Sequence, residues 1–187
     1  MRIHKCFLHV LACLSSLSLT DGAPISTGNI EAALKMWANN KDEAVRRFGP
    51  IEKWTLVGFQ DLDDVFWDKS DFNADLTEWD VTAVTSAQWT FNLATNFNGD
   101  ISQWNVGNLE NADNMFLDAT SFNRDVADWD VSSVTSMIAM FAGTTVFNQR
   151  LNAWDVSNVT DMDSIFWAAR AFSMALSKWD VSNVENM

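Results

Sequence analysis

Carboxylates are the groups in this chain most able to do chemistry. Asp61, Asp63, Asp64, Asp68, Asp71 and Asp75 crowd one short stretch, and Asp80, Asp130, Asp155 and Asp180 each stand two residues before a Thr or Ser. Paired carboxylates can cleave glycosidic bonds, one giving a proton while the other attacks or activates water. Carboxylates repeated at a fixed interval can also share calcium. Two observations weigh against both readings. The acidic rows recur at set positions, as structural residues do, and the glycine-rich nonapeptide loops of calcium-binding repeats are missing. Asx turns, in which the side chain accepts the N–H two residues on, account for the periodic row. The dense group reads as a solvated acidic face.

Other chemistries fall away together. Both cysteines (Cys6, Cys13) and both histidines (His4, His9) lie near the start of the chain. Met1 to Lys5 carries Arg2 and Lys5, Cys6 to Leu19 is mostly apolar, and small residues follow at Thr20, Gly22 and Ala23. That is the pattern of a secretory signal over residues 1–22, and its apolar run is shorter than the roughly 20 residues a membrane span needs. Cleavage would leave no thiol, no Ser-His pair and no His-ligated zinc. The expectation is a secreted or cell-surface protein that is not an enzyme, with no catalytic residue, metal ligand, cofactor or remaining membrane span. A net charge of −13 opposes nucleic acid as a partner.

A repeat positions these residues. Trp54, Trp79, Trp104, Trp129, Trp154 and Trp179 stand 25 residues apart, and Asp-Val-Thr or Asp-Val-Ser follows four of them. A period of this length marks a solenoid, whose units cannot bury their apolar faces alone and stack on their neighbours. One coil carries Ile101, Trp104, Val106, Leu109, Ala112, Met115, Phe116, Ala119 and Phe122. Leu109, Ala112, Phe116 and Ala119 fall at helical spacing and predict a short helix, with Ser86, Asn111, Ser136 and Asp161 placed as N-caps in their coils. Ile101 to Val106, β-branched and aromatic, predicts a brief strand. Ahead of the array, Ile30, Leu34, Trp37, Lys41, Val45 and Phe48 predict two amphipathic helices, capped by Thr27 and Asn40 and ended by Gly49-Pro50.

The phrase Phe122-Asn123-Arg124-Asp125-Val126-Ala127-Asp128-Trp129-Asp130-Val131-Ser132-Ser133-Val134-Thr135-Ser136-Met137, through Met140-Phe141, resembles the BspA-like surface protein repeat. This is the mycoplasma-type repeat family of unknown function, related to leucine-rich repeats. The likeness covers residues 51–187, and the segment with Trp37 and Phe48-Gly49-Pro50-Ile51 resembles the leader of such arrays. It implies a secreted or surface-displayed module, used in adhesion or recognition in some members, and it names no catalytic residue. Departures touch the uniformity of any binding face: Arg150 and Ala175 replace the acid of Asp75, Asp100 and Asp125, and Asn105-Val106-Gly107 replaces Asp-Val-Ser.

The expected fold is therefore an α/β solenoid. It is a leucine-rich-repeat-like, right-handed stack of 25-residue coils over residues 51–187, each a short parallel strand plus a short helix, behind an N-terminal helical cap at 27–50. Five coils are complete. The sixth, from Trp179 to Met187, lacks its helix and return turn, as a fragment of a longer repeat protein would. A bare coil end invites end-to-end self-association.

Within this array the periodic Trp row is expected as a buried spine. Asn73, Asn98, Asn123 and Asn148, then Ser173, are expected to satisfy turn backbone groups in one ladder. Trp67, Trp89 and Trp167 break the rhythm, and isolated surface tryptophans can anchor a partner. These three are the candidate ligand-binding residues; Trp67 and Trp167 share a coil position, about 19 Å apart at strand spacing. Asn158-Val159-Thr160 is the one N-x-Ser/Thr sequon, which makes Asn158 a glycosylation candidate. The expected function is non-catalytic recognition of a protein or glycan ligand. The alternative is a carboxylate-dependent polysaccharide-acting enzyme on the same scaffold.

Overall fold

A computed structural model describes residues 22–187. The expected signal, apart from Gly22, lies outside the described residues, together with Cys6, Cys13, His4 and His9.

Strand β1 (Ile25–Ser26) pairs in parallel with β2 (Leu56–Val57), Ile25 facing Leu56 and Ser26 facing Val57. Between them lie α1 (Ile30–Asn39), α2 (Lys41–Phe48) and a single 3-10 turn at Ile51–Lys53. Helix α1 buries Ile30, Ala33 and Leu34, one stripe at helical spacing. Asn40 separates the helices and caps α2, its side chain accepting the Glu43 N–H at 3.2 Å. Gly49 ends α2 at φ 76°, a left-handed conformation that suits glycine, and its N–H reaches the Val45 carbonyl at 2.8 Å. Thr27 does not cap α1. Asn29 precedes the helix instead, and its side chain turns back to accept the Ser26 N–H at 2.9 Å and to donate to the Pro24 carbonyl at 3.1 Å.

From Asp61 onward the chain repeats against itself. Single parallel bridges join Asp61 to Ser86, Ser86 to Asn111, Asn111 to Ser136, Ser136 to Asp161 and Asp161 to Asn186. Beside the first bridge, the N–H groups of Leu62, Asp64, Phe66 and Asp68 donate to the carbonyls of Ser86, Gln88, Thr90 and Asn92 at 2.8–3.0 Å. The same set runs from Ala87 to Leu93, from Ala112 to Asp118 and from Met137 to Gly143. The intervening N–H groups close tight turns on the residue three back, as Val65 does on Leu62 and Trp67 on Asp64.

This arrangement replaces the expected helix of each repeat. An α-helix spends its N–H groups on its own carbonyls, whereas here every second one is spent on the next repeat. Left-handed residues also break any right-handed winding: Asp64 and Asp68, Trp89 and Leu93, Asn114 and Asp118, Ala139 and Gly143, Ser164 and Ala168. Successive three-residue turns bring apolar side chains inward at the three-and-four spacing that a helix also gives, so the pattern at Leu109, Ala112, Phe116 and Ala119 has another cause. Ser86, Asn111, Ser136 and Asp161 hold the bridges rather than helix caps. Ile101 to Val106 is not a strand either: Trp104 N–H closes on the Ile101 carbonyl at 3.1 Å and Leu109 N–H on Val106 at 2.8 Å, two turns in succession. Among the described residues, α1 and α2 are the α-helices, and β1 with β2 forms the one two-stranded sheet.

The core is built of aromatic columns. Phe66, Phe91, Phe116, Phe141 and Phe166 stack repeat upon repeat with ring centroids 5.1–5.9 Å apart. Phe72, Phe97, Phe122, Phe147 and Phe172 form a second column at 5.8–6.0 Å. Within a repeat the two rings lie 3.9–4.3 Å apart, as in Phe91–Phe97 and Phe141–Phe147. The neighbours along each column, at 5.1–6.0 Å, fall in the range where an aromatic pair adds about 0.5–1.5 kcal/mol beyond simple burial. The periodic tryptophans form the third column. Trp79, Trp104, Trp129, Trp154 and Trp179 donate their indole N–H to the carbonyls of Ile51, Leu76, Ile101, Val126 and Leu151 in the preceding repeat, at 2.8–3.2 Å. Trp54 has no earlier repeat to reach; its indole bonds to the Gly49 carbonyl at 3.0 Å, and Phe48 packs edge-on at 5.9 Å. The end of α2 thus stands where a preceding repeat stands for the others.

Candidate binding face

Most polar rows of the array are spent on holding it together. Asn73, Asn98, Asn123 and Asn148 each accept, through Oδ1, the backbone N–H one repeat later, at Asn98, Asn123, Asn148 and Ser173 (2.8–3.0 Å). Asp80, Asp130, Asp155 and Asp180 accept the N–H of Thr82, Ser132, Ser157 and Ser182 at 3.0–3.1 Å, and Asn105 serves Gly107 in the same way. The hydroxyl and N–H of those partners hold the four carboxyls below the usual carboxylate range. Asp75, Asp100 and Asp125 form a parallel row of the same turns, on Thr77, Ser102 and Ala127. Asp63 and Asp113 staple adjacent repeats: Asp63 Oδ1 accepts Ser86 Oγ at 2.6 Å and Gln88 N–H at 2.9 Å, and Asp113 does the same for Ser136 and Ile138.

Asp64 and Asp68 differ. Both are exposed and left-handed, at φ 61° and 56°. Among the described residues, no hydrogen bond or ion pair engages either carboxylate; the salt bridges there involve Glu43 and Glu78. Partial burial and the neighbouring Asp63 charge push the Asp64 carboxyl up from its ordinary value.

The rhythm-breaking tryptophans are the exposed ones. Trp67 is 49% exposed, Trp89 45% and Trp167 67%, whereas the periodic row from Trp54 to Trp154 is 2–4% exposed. All three lie on the turn stretch that carries the repeat-to-repeat bonds. Asp64 N–H donates to Gln88, the residue before Trp89, and Trp89 N–H donates to Asp113, both at 3.0 Å. Asp68 N–H donates at 2.8 Å to Asn92, the residue before Leu93. The structure therefore brings Trp67, Trp89, Asp64 and Asp68 together on adjacent repeats. Trp167 lies three repeats beyond Trp89 and is not part of that group. Trp89 itself is left-handed at φ 55°, in a position that Asp64 and Asn114 occupy in neighbouring repeats. Asx side chains tolerate that conformation; a large aromatic one pays strain to hold it.

Leu93, 37% exposed, completes the patch and went unnoticed in the sequence. The signal was present: it takes the repeat position of Asp68 and Asp118, an apolar residue in a polar row. Gly143 occupies that position in the next repeat at φ 69°, where an added Cβ would collide with the Asp118 carboxylate.

Asn158 is exposed, and its Nδ2 donates to the Ser132 carbonyl at 2.7 Å. Asn108 and Asn183 make the same bond to Thr82 and Ser157. The sequon asparagine is thus also one rung of a second Asn ladder.

An apolar void of about 10 Å³ lies beside Ala87, Val84, Leu109 and Met115, the size of one water. Among the described residues, no three of His, Cys, Asp and Glu converge to hold a metal ion, and no helix is long and apolar enough to cross a membrane. A family model described as Mycoplasma protein of unknown function, DUF285, matches residues 32–148 and 113–187. No curated protein and no solved structure matches the chain.

Proposed function

The chain belongs to the mycoplasma-type, BspA-like repeat family DUF285, of unknown function, and from that premise we propose that it is a secreted or surface-displayed solenoid for non-catalytic recognition of a protein or glycan. The observation that carries this reading is the division among tryptophans. Those on the repeat period from Trp54 to Trp154 are buried and hydrogen-bonded, while the three that break it stand 45–67% exposed on the turn stretch. Leaving large aromatic surface in water costs about 25 cal/mol per Å² of burial forgone, and anchoring a partner is the use that offsets it. The acidic rows support the same reading, because most of their members already accept backbone N–H groups and so act as scaffold.

The test is to screen the purified chain on a glycan array and a panel of cell-surface proteins, while assaying release of reducing ends from polysaccharides. A retained ligand without hydrolysis is expected. Hydrolysis with no retained ligand would favour the carboxylate-dependent enzyme instead.

A further inference from the structure

We propose that the face formed by Trp67, Trp89, Asp64, Asp68 and Leu93 receives a basic protein segment, with Arg or Lys side chains lying on the indoles and paired to the two free carboxylates. The inference rests on the recognition reading above and names the partner's chemistry.

Three observations favour a cationic partner over a neutral glycan at this face. First, the exposed indoles share two adjacent repeats with Asp64 and Asp68. Trp67 lies in the same chain segment as both, and Gln88, the residue before Trp89, accepts the Asp64 N–H from the neighbouring repeat. Second, Asp64 and Asp68 are not spent on turns, unlike Asp75, Asp80, Asp100, Asp125, Asp130, Asp155 and Asp180. Third, partial burial and the charge of Asp63 both push the Asp64 carboxyl up, and among the described residues no ion pair offsets them. A guanidinium or ammonium over an indole face gains from the ring quadrupole, and a planar guanidinium can stack on Trp while its fork pairs with a carboxylate. Leu93 supplies an apolar floor for the methylene stem of such a side chain. Trp167 has Ser164 and Ala168 where Trp67 has Asp64 and Asp68, so it lies outside the cation site.

The test uses the full chain and a ten-residue arginine peptide, followed by tryptophan fluorescence and calorimetry at fixed low salt, with a ten-residue glutamate peptide as control. Three sets of variants are compared after circular dichroism confirms folding: Trp67→Ala with Trp89→Ala; Asp64→Asn with Asp68→Asn; and Asp130→Asn with Asp155→Asn and Asp180→Asn. Binding of the arginine peptide is expected to weaken at least tenfold in each of the first two and no more than twofold in the third, which removes more charge elsewhere. Trp167→Ala is expected to bind as the wild type does. Equal weakening by both aspartate sets, or no effect of the tryptophan pair, would overturn the cation site by showing diffuse charge attraction. Failure here alongside a retained ligand that still needs Trp67 and Trp89 would leave the recognition reading standing, whereas hydrolysis without any retained ligand would remove that reading itself.

Discussion

Trp104 donates its indole N–H to the carbonyl of Leu76, 28 residues earlier, at 2.9 Å. The same carbonyl accepts the backbone N–H of Trp79 at 3.0 Å, so one oxygen closes a turn in its own repeat and receives the side chain of the next. This double use explains why the spine is Trp and not Phe. Trp104→Phe is expected to lower unfolding stability by about 1–2 kcal/mol, and Trp104→Ala by about 3–5 kcal/mol. Urea titration checks both; a Phe variant as stable as the wild type would mean that the indole bond contributes nothing.

Phe116, the middle ring of its column, is fully buried between Phe91 and Phe141 and against Phe122, whereas Phe166, the last ring, is only half-buried. Phe116→Ala is expected to cost about 3–5 kcal/mol and Phe166→Ala distinctly less. Equal losses would show that stability does not follow position along the array.

Asn123 accepts the Asn148 N–H at 2.9 Å and the Gln149 side chain at 2.8 Å. Asn123→Ala removes both acceptor contacts and is expected to cost about 1 kcal/mol. Asn123→Asp keeps the acceptor and is expected to stay within about 0.5 kcal/mol of wild type near neutral pH. Chemical denaturation of the two variants separates an acceptor role from a packing role.

What was legible in the sequence was whatever recurs as a residue type at a fixed interval: the period itself, the Trp column, the Asn73-to-Asn148 ladder and the Asx turns of Asp80 and its equivalents. Local backbone shape was not legible. The spacing of Leu109, Ala112, Phe116 and Ala119 is shared by a helix and by a train of three-residue turns, and only the hydrogen bonds to the neighbouring repeat decide between them. The left-handed residues that end helical winding include Trp89, Leu93, Ala139 and Ala168, none of which announces that conformation as Gly or Asn would. The bond from Asn158 to the Ser132 carbonyl was not legible for a related reason, because it depends on a repeat contact that no short motif encodes.

The carboxyls of Asp130, Asp155 and Asp180 are held low by the hydroxyl and N–H of Ser132, Ser157 and Ser182. A folded-state value below the unfolded one stabilises the fold above about pH 4, and this stability is lost as pH falls through the folded-state value. Replacing all three by Asn, the residue found at Asn105, is expected to flatten the fall in Tm between about pH 4 and pH 2. Asp64 has the opposite sign: its value is raised, so its charge opposes folding above about pH 4. Asp64→Asn is expected to raise Tm at neutral pH and to give no gain in acid. Thermal melts across the pH range check both directions.

The central claim is that exposed, rhythm-breaking tryptophans carry recognition while the periodic ones carry structure. The most direct measurement is ligand retention by the variant with Trp67→Ala, Trp89→Ala and Trp167→Ala, on the same glycan and surface-protein arrays as the wild type. The variant is expected to keep the wild-type circular dichroism spectrum and a Tm within a few degrees, and to lose at least tenfold in retention. Full retention by a folded triple variant would contradict the account.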